Sequence, residues 1–283
     1  MIKINNLEKK YGDFCLNITM RIPAGTVSGI VGRNGAGKST TIKALLGLIK
    51  PDSGSVTVFG TDSSALTAKE RQKIGVALSD SGFSSYLSIC DIIKILAAMY
   101  PDFDPGRFRH KCEKSGLPLN KRLSGFSTGM KAKLKVLVAC SHNAKLLVLD
   151  EPTAGLDIIA RREVLDMLRG YLAEDPERSM LISSHISSDL EGICDDIYMI
   201  HNGRVILHED TDSILGEYAV LRVSPIRYKQ IDKQYILRVK EEPFGYTCFT
   251  NQKRFYMENY PDIVIESGSI DDMIIMMAEG KAK

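Results

Sequence analysis

Two short runs, Leu146 to Leu149 and Met180 to Ile182, are apolar at every position and stop at polar residues, and a third, inside "GTVSGIVG", stops at glycine. Runs of this length with no polar side read as buried strands. Between the first and second of these strands in chain order the spacing changes. "SICDIIKILAAMY" places Ile89, Ile92, Ile93, Leu96 and Tyr100 on one helical face, with Ser88 and Asp91 spaced as a capping box. "PDFDPGRFRHKCEKSGLP" then reads as a loop and a second short helix. After about residue 216 the pattern shifts again, to the short β-type runs "YAVLRV", "QYILRV", "GYTCF" and "DIVIE". They precede a helix in "SIDDMIIMMAEG", with Ser269 as N-cap, Ile270, Met273, Ile274 and Met277 on one face, and Gly280 beyond its end. No internal repeat or low-complexity tract interrupts this α/β pattern.

Composition narrows the class. With 283 residues, 44% hydrophobic and 25% charged, the chain suits one or two soluble globular domains. Its net charge of +2 gives no footprint for general nucleic-acid binding, while small polyanions remain open as ligands. Cys15, Cys90, Cys112, Cys140, Cys194 and Cys248 lie far apart with no C-x-x-C, which supports neither a zinc site nor a disulfide framework and favours reduced thiols. "MIKINNLEKKYG" lacks the apolar centre of a signal peptide, and no run reaches the roughly 18 apolar residues that span a bilayer. A membrane role would therefore need a second chain. Residues 222 to 254 carry eight basic and three acidic side chains, and 255 to 283 carry two and six, so these halves could attract each other or a partner, or simply be solvated.

The strand ends carry the candidate chemistry. "GRNGAGKST" matches G-x-x-x-x-G-K-S/T through Gly32, Gly37, Lys38 and Ser39, immediately between an apolar strand and an apolar helical pattern. Glycines at this spacing let main-chain N–H groups turn inward around phosphates, and the helix that follows presents its positive end. Lys38 would reach the β- and γ-phosphates and Ser39 would ligate Mg²⁺. Asp150 and Glu151 follow the second strand, where an acid can hold the same metal and a second can polarise water. His185 follows the third strand; His110, His142, His201 and His208 share no ligand spacing. A lone Asp-Glu-Pro or a lone histidine would read as an ordinary turn. The sequence of three strand tips is what gives them weight.

In this order, the P-loop, Asp150-Glu151, "AGLD" and His185 resemble the nucleotide-binding subunit of ATP-binding-cassette transporters over residues 1 to about 210. "YPDFDPGRF" and "SSHISSDLEGICDDI" further resemble the bacterial ATPases that power drug and antimicrobial-peptide exporters. The resemblance implies a P-loop NTPase fold with a RecA-like core sheet over residues 1–215 and a helical subdomain inserted at about 86–145, while the β-type runs and last helix at 216–283 read as a small C-terminal α+β region. It implies ATP bound by Gly32, Arg33, Asn34, Gly35, Ala36, Gly37, Lys38, Ser39 and Thr40, with Tyr11 stacked on adenine. Asp150 with Ser39 would hold Mg²⁺, Glu151 would be the general base, His185 would sense the γ-phosphate, and Asp157 would lie in the dimer-contacting loop. The implied partners are a second nucleotide-binding subunit, identical or different, and a polytopic membrane subunit docking near Tyr86 on the cytoplasmic face of the plasma membrane, with no nucleic acid. A soluble cassette ATPase of translation or repair, or a weakly hydrolysing nucleotide sensor, are the rival readings.

Two departures from the family stand out. The signature motif has two frames in "RLSGFSTGMK", starting at Leu123 or Phe126. In the family it begins 24 positions before the Mg²⁺-binding aspartate, a count that runs from Phe126 to Asp150, so the resemblance assigns Phe126, Ser127, Thr128, Gly129 and Met130, acting on the partner's ATP. The other is the loop after "KIGVAL", where the family presents glutamine or glutamate to the metal and this chain has Ser79; Asp80 or a water could substitute.

Overall fold

The structure, a computed structural model, describes residues 1–281. Its main sheet has ten strands: β1 (Ile2–Tyr11), β2 (Phe14–Ile22), β3 (Val27–Val31), β4 (Ser53–Val58), β5 (Thr61–Asp62), β6 (Ile74–Ala77), β7 (Leu146–Asp150), β8 (Ser179–Ser183), β9 (Asp196–His201) and β10 (Arg204–Asp210). They lie in the order β5-β4-β1-β2-β10-β9-β3-β8-β7-β6. From β9 to β6 the strands run parallel, whereas β4, β1 and β2 are antiparallel. Every residue of β3, β7 and β8 is buried, as their unbroken apolar patterns require. Because β3, β7 and β8 are adjacent and parallel, their C-terminal ends bring Gly32, Asp150 and Ser183 to one edge of the sheet, the place where open α/β sheets collect ligands.

The P-loop helix, Lys38–Leu45, buries Ile42 and Leu45 in the core on one side of the sheet. The helix Ile158–Ala173 buries Val164 and Leu168 on the other.

The inserted subdomain comprises the helices Ile89–Met99, Pro105–Lys114 and Thr128–Ala139, around a core of its own that includes Ile92, Leu96, Phe108 and Phe126. The Ser88–Asp91 capping box forms as expected. Tyr100 is only partly covered and stacks on His142. Tyr86 projects at 78% exposure.

The C-terminal runs all become strands: β11 (Ala219–Val223), β12 (Ile236–Glu242), β13 (Gly245–Thr250) and β14 (Val264–Ser267), an antiparallel sheet ordered β12-β13-β11-β14. Helices Pro225–Tyr228 and Lys253–Asn259, which the sequence pattern did not reveal, accompany it. The last helix, Ile270–Glu279, has the expected Ser269 cap, but Met276 is buried with Ile270 and Met273 while Ile274 and Met277 are only partly covered. Leu221 and Cys248 point into a core belonging to this sheet. Val220, Phe249, Met273 and Met276 instead join the core of the main domain, beside Ile182, Leu190 and Met199. The region from 216 to 281 thus shares a hydrophobic core with the residues before it. Its basic and acidic halves pair with each other, through Arg222–Glu266 (3.1 Å), Arg227–Asp262 (2.7 Å) and Lys240–Glu279 (3.2 Å). These exposed pairs contribute at most about 1 kcal/mol each, so packing holds the region in place.

Candidate nucleotide site

Gly32 follows β3 with φ +154°, and a Cβ there would lie 2.3 Å from the Ile200 carbonyl oxygen. Gly37 has φ +116° and would drive a Cβ to 2.5 Å from a Leu16 methyl. Side chains at either position would force the loop open. Between them the chain curls so that Lys38 returns its Nζ to donate to Gly32 O at 2.8 Å. Gly37 supplies no side-chain cap, so the first N–H groups of the P-loop helix are left for a ligand to satisfy. A cavity of about 420 Å³ opens here, lined by Asn34 to Thr40, Phe14, Ser79, Glu151, Ala154 and His185.

Glu151, just past the end of β7, lines this cavity, and Asp150 lies buried at the strand tip behind it. Asp150 is 2% exposed, and both its oxygens accept hydroxyl hydrogen bonds, Oδ1 from Ser183 (2.6 Å) and Oδ2 from Ser79 (3.0 Å). Glu151 has φ +52°, left-handed for a residue with a side chain, a conformation that persists only where its surroundings impose it. The surroundings are specific: its N–H donates to both the carbonyl and the hydroxyl of Ser183, at 3.1 and 3.0 Å. Its carboxylate lies 3.3 Å from Lys38 Nζ and 2.5 Å from His185 Nδ1, and also accepts from the His185 N–H (3.2 Å). The structure therefore brings together Lys38, Glu151 and His185, three residues far apart in the chain.

Ser183 is one residue of this site that the sequence did not single out. One buried hydroxyl donates to Asp150 and receives the Glu151 N–H, fixing the two carboxylates relative to each other. As a serine ending an apolar strand it carries no pattern of its own. Phe14 was also missed, since it sits in an alternating strand. Tyr11 pairs with Phe14 across the β1–β2 hairpin and is 49% exposed, with Lys9 Nζ 5.7 Å from its ring; Phe14, not Tyr11, lines the cavity.

The loop after β6 is fastened on several sides. Asp80 turns to Lys43 at 2.6 Å, a contact that holds the Asp80 carboxyl below the usual carboxylate range, so Ser79 and not Asp80 reaches Asp150. Lys135 Nζ donates to the carbonyls of Leu78 (3.0 Å) and Ser79 (3.3 Å). Burial pushes its ammonium below the usual lysine range.

Ser127 caps the helix Thr128–Ala139 by accepting from the Met130 N–H, while Phe126 is buried in the subdomain core. The alternative frame lies in a 3₁₀ turn: Leu123 and Ser124 donate their N–H groups to Leu87 and Ser85. Asp157 caps Ile158–Ala173 by accepting from Ala160 N–H. A second cavity of about 570 Å³ places Ser127, Thr128, Gly129 and Met130 beside Gly155, Asp157 and Ile159. Ile158 and Ile159 next to it are exposed at 79% and 75%.

A P-loop on a parallel sheet, a strand-tip carboxylate pair and an inserted helical subdomain define a P-loop ATPase of the cassette type. The family model described as ABC transporter matches residues 15–154. The chain is 36% identical over 216 residues to the lantibiotic transport ATP-binding protein SrtF of Streptococcus pyogenes, an alignment covering 75% of this chain and 92% of that one. It is 35% identical to the bacitracin transport ATP-binding protein BcrA of Enterococcus faecalis, covering 73% and 68%. Among solved structures, cbiO1 of Clostridium perfringens, described as part of an ABC transporter complex, superimposes with a TM-score of 0.63 at 26% identity, covering 76% and 90%. This chain belongs to the ABC transporter family, as an ATP-binding, ATP-hydrolysing subunit.

Proposed function

We propose that this chain powers an exporter of antimicrobial peptides or similar compounds by ATP-driven dimerisation against a separate polytopic membrane subunit at the cytoplasmic membrane face. Among the described residues no helix is long and apolar enough to cross a bilayer, and in this reading the separate membrane subunit would supply the transport path. The similarity to lantibiotic and bacitracin transport proteins supports the substrate class.

Gly32 to Thr40 would cradle the phosphates, Lys38 would neutralise the β- and γ-oxygens, and Tyr11 would stack on adenine from the hairpin edge. Glu151 would accept the proton of the attacking water, and His185 would hold Glu151 and the γ-phosphate oxygens together. Ser39 and Asp150 offer the hard oxygen donors that suit Mg²⁺, which when bound would offset the phosphate charge. The observation that carries the reading is the placement of Glu151, fixed by Ser183, Lys38 and His185 at the mouth of the P-loop cavity. Ser127, Gly129 and Asp157 would complete the site on a second subunit, whose own signature returns the contact. A pull-down with the full chain tests this: recovery of a polytopic membrane protein supports it, and recovery of ribosomes or DNA instead overturns it.

A further inference from the structure

Ser79 has a short side chain for a loop that must reach the buried Asp150. Its hydroxyl donates to Asp150 Oδ2 at 3.0 Å. Next to it, Lys135 holds the loop backbone through two main-chain carbonyls, those of Leu78 and Ser79, on one ammonium. Among the described residues Lys135 has no carboxylate within ion-pair distance. Asp80 is near enough to favour the ammonium's charge, yet Lys135 gives its hydrogen bonds to the two loop carbonyls rather than swinging outward as a lysine on an open surface would. Lys135 is half-buried on the helix Thr128–Ala139, whose cap is Ser127.

We propose that Lys135 is a positioning residue that makes the Leu78–Ser79 loop move with the helix capped by Ser127, so that Ser127 at the partner's ATP and Asp150 at this chain's own ATP are set together. This rests on the reading that Ser127 faces the partner's nucleotide. The helix carries a displacement at Ser127 over about 12 Å to Lys135 as one rigid element. Lys135 hands it to the loop carbonyls, and Ser79 hands it to Asp150. Coupling of the two ATP sites in the dimer is then built into the chain by a contact that needs a long cationic donor here and would be lost with a shorter side chain.

The full-length protein is assayed for ATP hydrolysis against ATP concentration, with ATP affinity and Mn²⁺ binding by the ATP-loaded chain, the latter followed by electron paramagnetic resonance, measured alongside. Lys135→Met is expected to lower kcat about tenfold, by misplacing Asp150, and to bring the Hill coefficient below that of wild type and toward 1, with ATP Kd changed less than about twofold. Mn²⁺ affinity should fall severalfold, and Lys135→Arg, which keeps the donors, should restore all of these. A folded Lys135→Met with wild-type kcat and Hill coefficient, or a Lys135→Arg as impaired as the methionine variant, overturns the proposal while leaving the ATPase reading intact. A wild type that hydrolyses no ATP overturns both. Should Lys135→Met fail to fold, Ser79→Ala decides: loss of cooperativity supports the link, and wild-type cooperativity refutes it.

Discussion

Lys38 Nζ lies 3.3 Å from Glu151 Oε1, with both side chains largely buried, at 6% and 13% exposure. The lysine that would grip the phosphates and the carboxylate that would activate water thus share one small volume, held there by Gly32 O on one side and His185 on the other. Glu151→Gln keeps the shape and a hydrogen-bond acceptor while removing the base. Hydrolysis is expected to fall by at least about 100-fold, the scale of general-base catalysis, with ATP binding retained. The closed dimer should then persist, visible by gel filtration with ATP and Mg²⁺; a profile of monomer alone would count against it.

The register of the signature is tested by two serines three residues apart. Ser127 caps the helix that lines the second cavity, whereas Ser124 sits in a turn whose N–H is tied to Ser85. Ser127→Ala is expected to cost about 0.5–2 kcal/mol of cap stability and about tenfold or more in turnover, by loss of a donor to transferring phosphate. Ser124→Ala should leave turnover within about twofold, as surface substitutions do. The reverse ranking would move the motif to Leu123.

The phosphate loop, the strand-tip carboxylates and His185 were legible because each combines a rare residue pattern with a buried strand. Ser183, Lys135 and Phe14 were not, since a single serine, lysine or phenylalanine gains meaning only from what parallel β7 and β8, or an inserted helix, place beside it. The two frames at 122–131 show the limit clearly. Both contain a serine and a glycine in the right order, and the difference between a 3₁₀ turn and a helix cap lies in which backbone groups the residues around Ser85 occupy. At the C-terminus, the four strands were legible as short β-type runs. That one face of their sheet enters the main core was not, because apolar periodicity tells which side is buried and not against what.

Tyr11 and Phe14 divide the aromatic side of the site. Tyr11 offers an exposed ring at the hairpin edge, and Phe14 lies against the glycine that opens the P-loop helix, where a Cβ on Gly37 would come within 3.3 Å of its ring. Stacking on a base is worth roughly 1–3 kcal/mol, so Tyr11→Ala should weaken ATP binding about tenfold or more while barely affecting triphosphate binding. Isothermal titration of both single variants checks this. A tenfold loss in Phe14→Ala with none in Tyr11→Ala would transfer the role to Phe14.

His142 gives the fold a defined acid sensitivity. It is buried, stacked on Tyr100 at 4.0 Å, with Nε2 at 3.2 Å from Ile74 O, and desolvation holds it below the usual histidine range. Below about pH 6.5 the unfolded chain therefore takes up a proton that the folded chain refuses, so stability is present above that pH and lost as pH falls toward the folded value. Between pH 6.5 and 5.5 this residue should make the folded state progressively less stable. Denaturant titrations of wild type and His142→Phe, which keeps the stacking ring, should diverge in this window, the variant losing less; parallel curves would assign the acid sensitivity elsewhere.

Met273 tests whether the C-terminal region is a separate unit. It is fully buried in the same core as Met199 and Ile182, the latter next to Ser183 on β8, and its helix begins with the Ile270 N–H donating to Glu191. Removing such a side chain costs about 2–5 kcal/mol, from lost burial plus the cavity left behind. If one core spans both regions, unfolding is a single transition, and Met273→Ala should lower its midpoint by about 2–4 °C per kcal/mol, somewhere around 5–15 °C in all. Were residues 216–283 independent, calorimetry would show two transitions with only the smaller one displaced. That result would contradict the shared core, and with it the expectation that a chain truncated near residue 217 exposes Leu190, Met199 and Ile214 and aggregates.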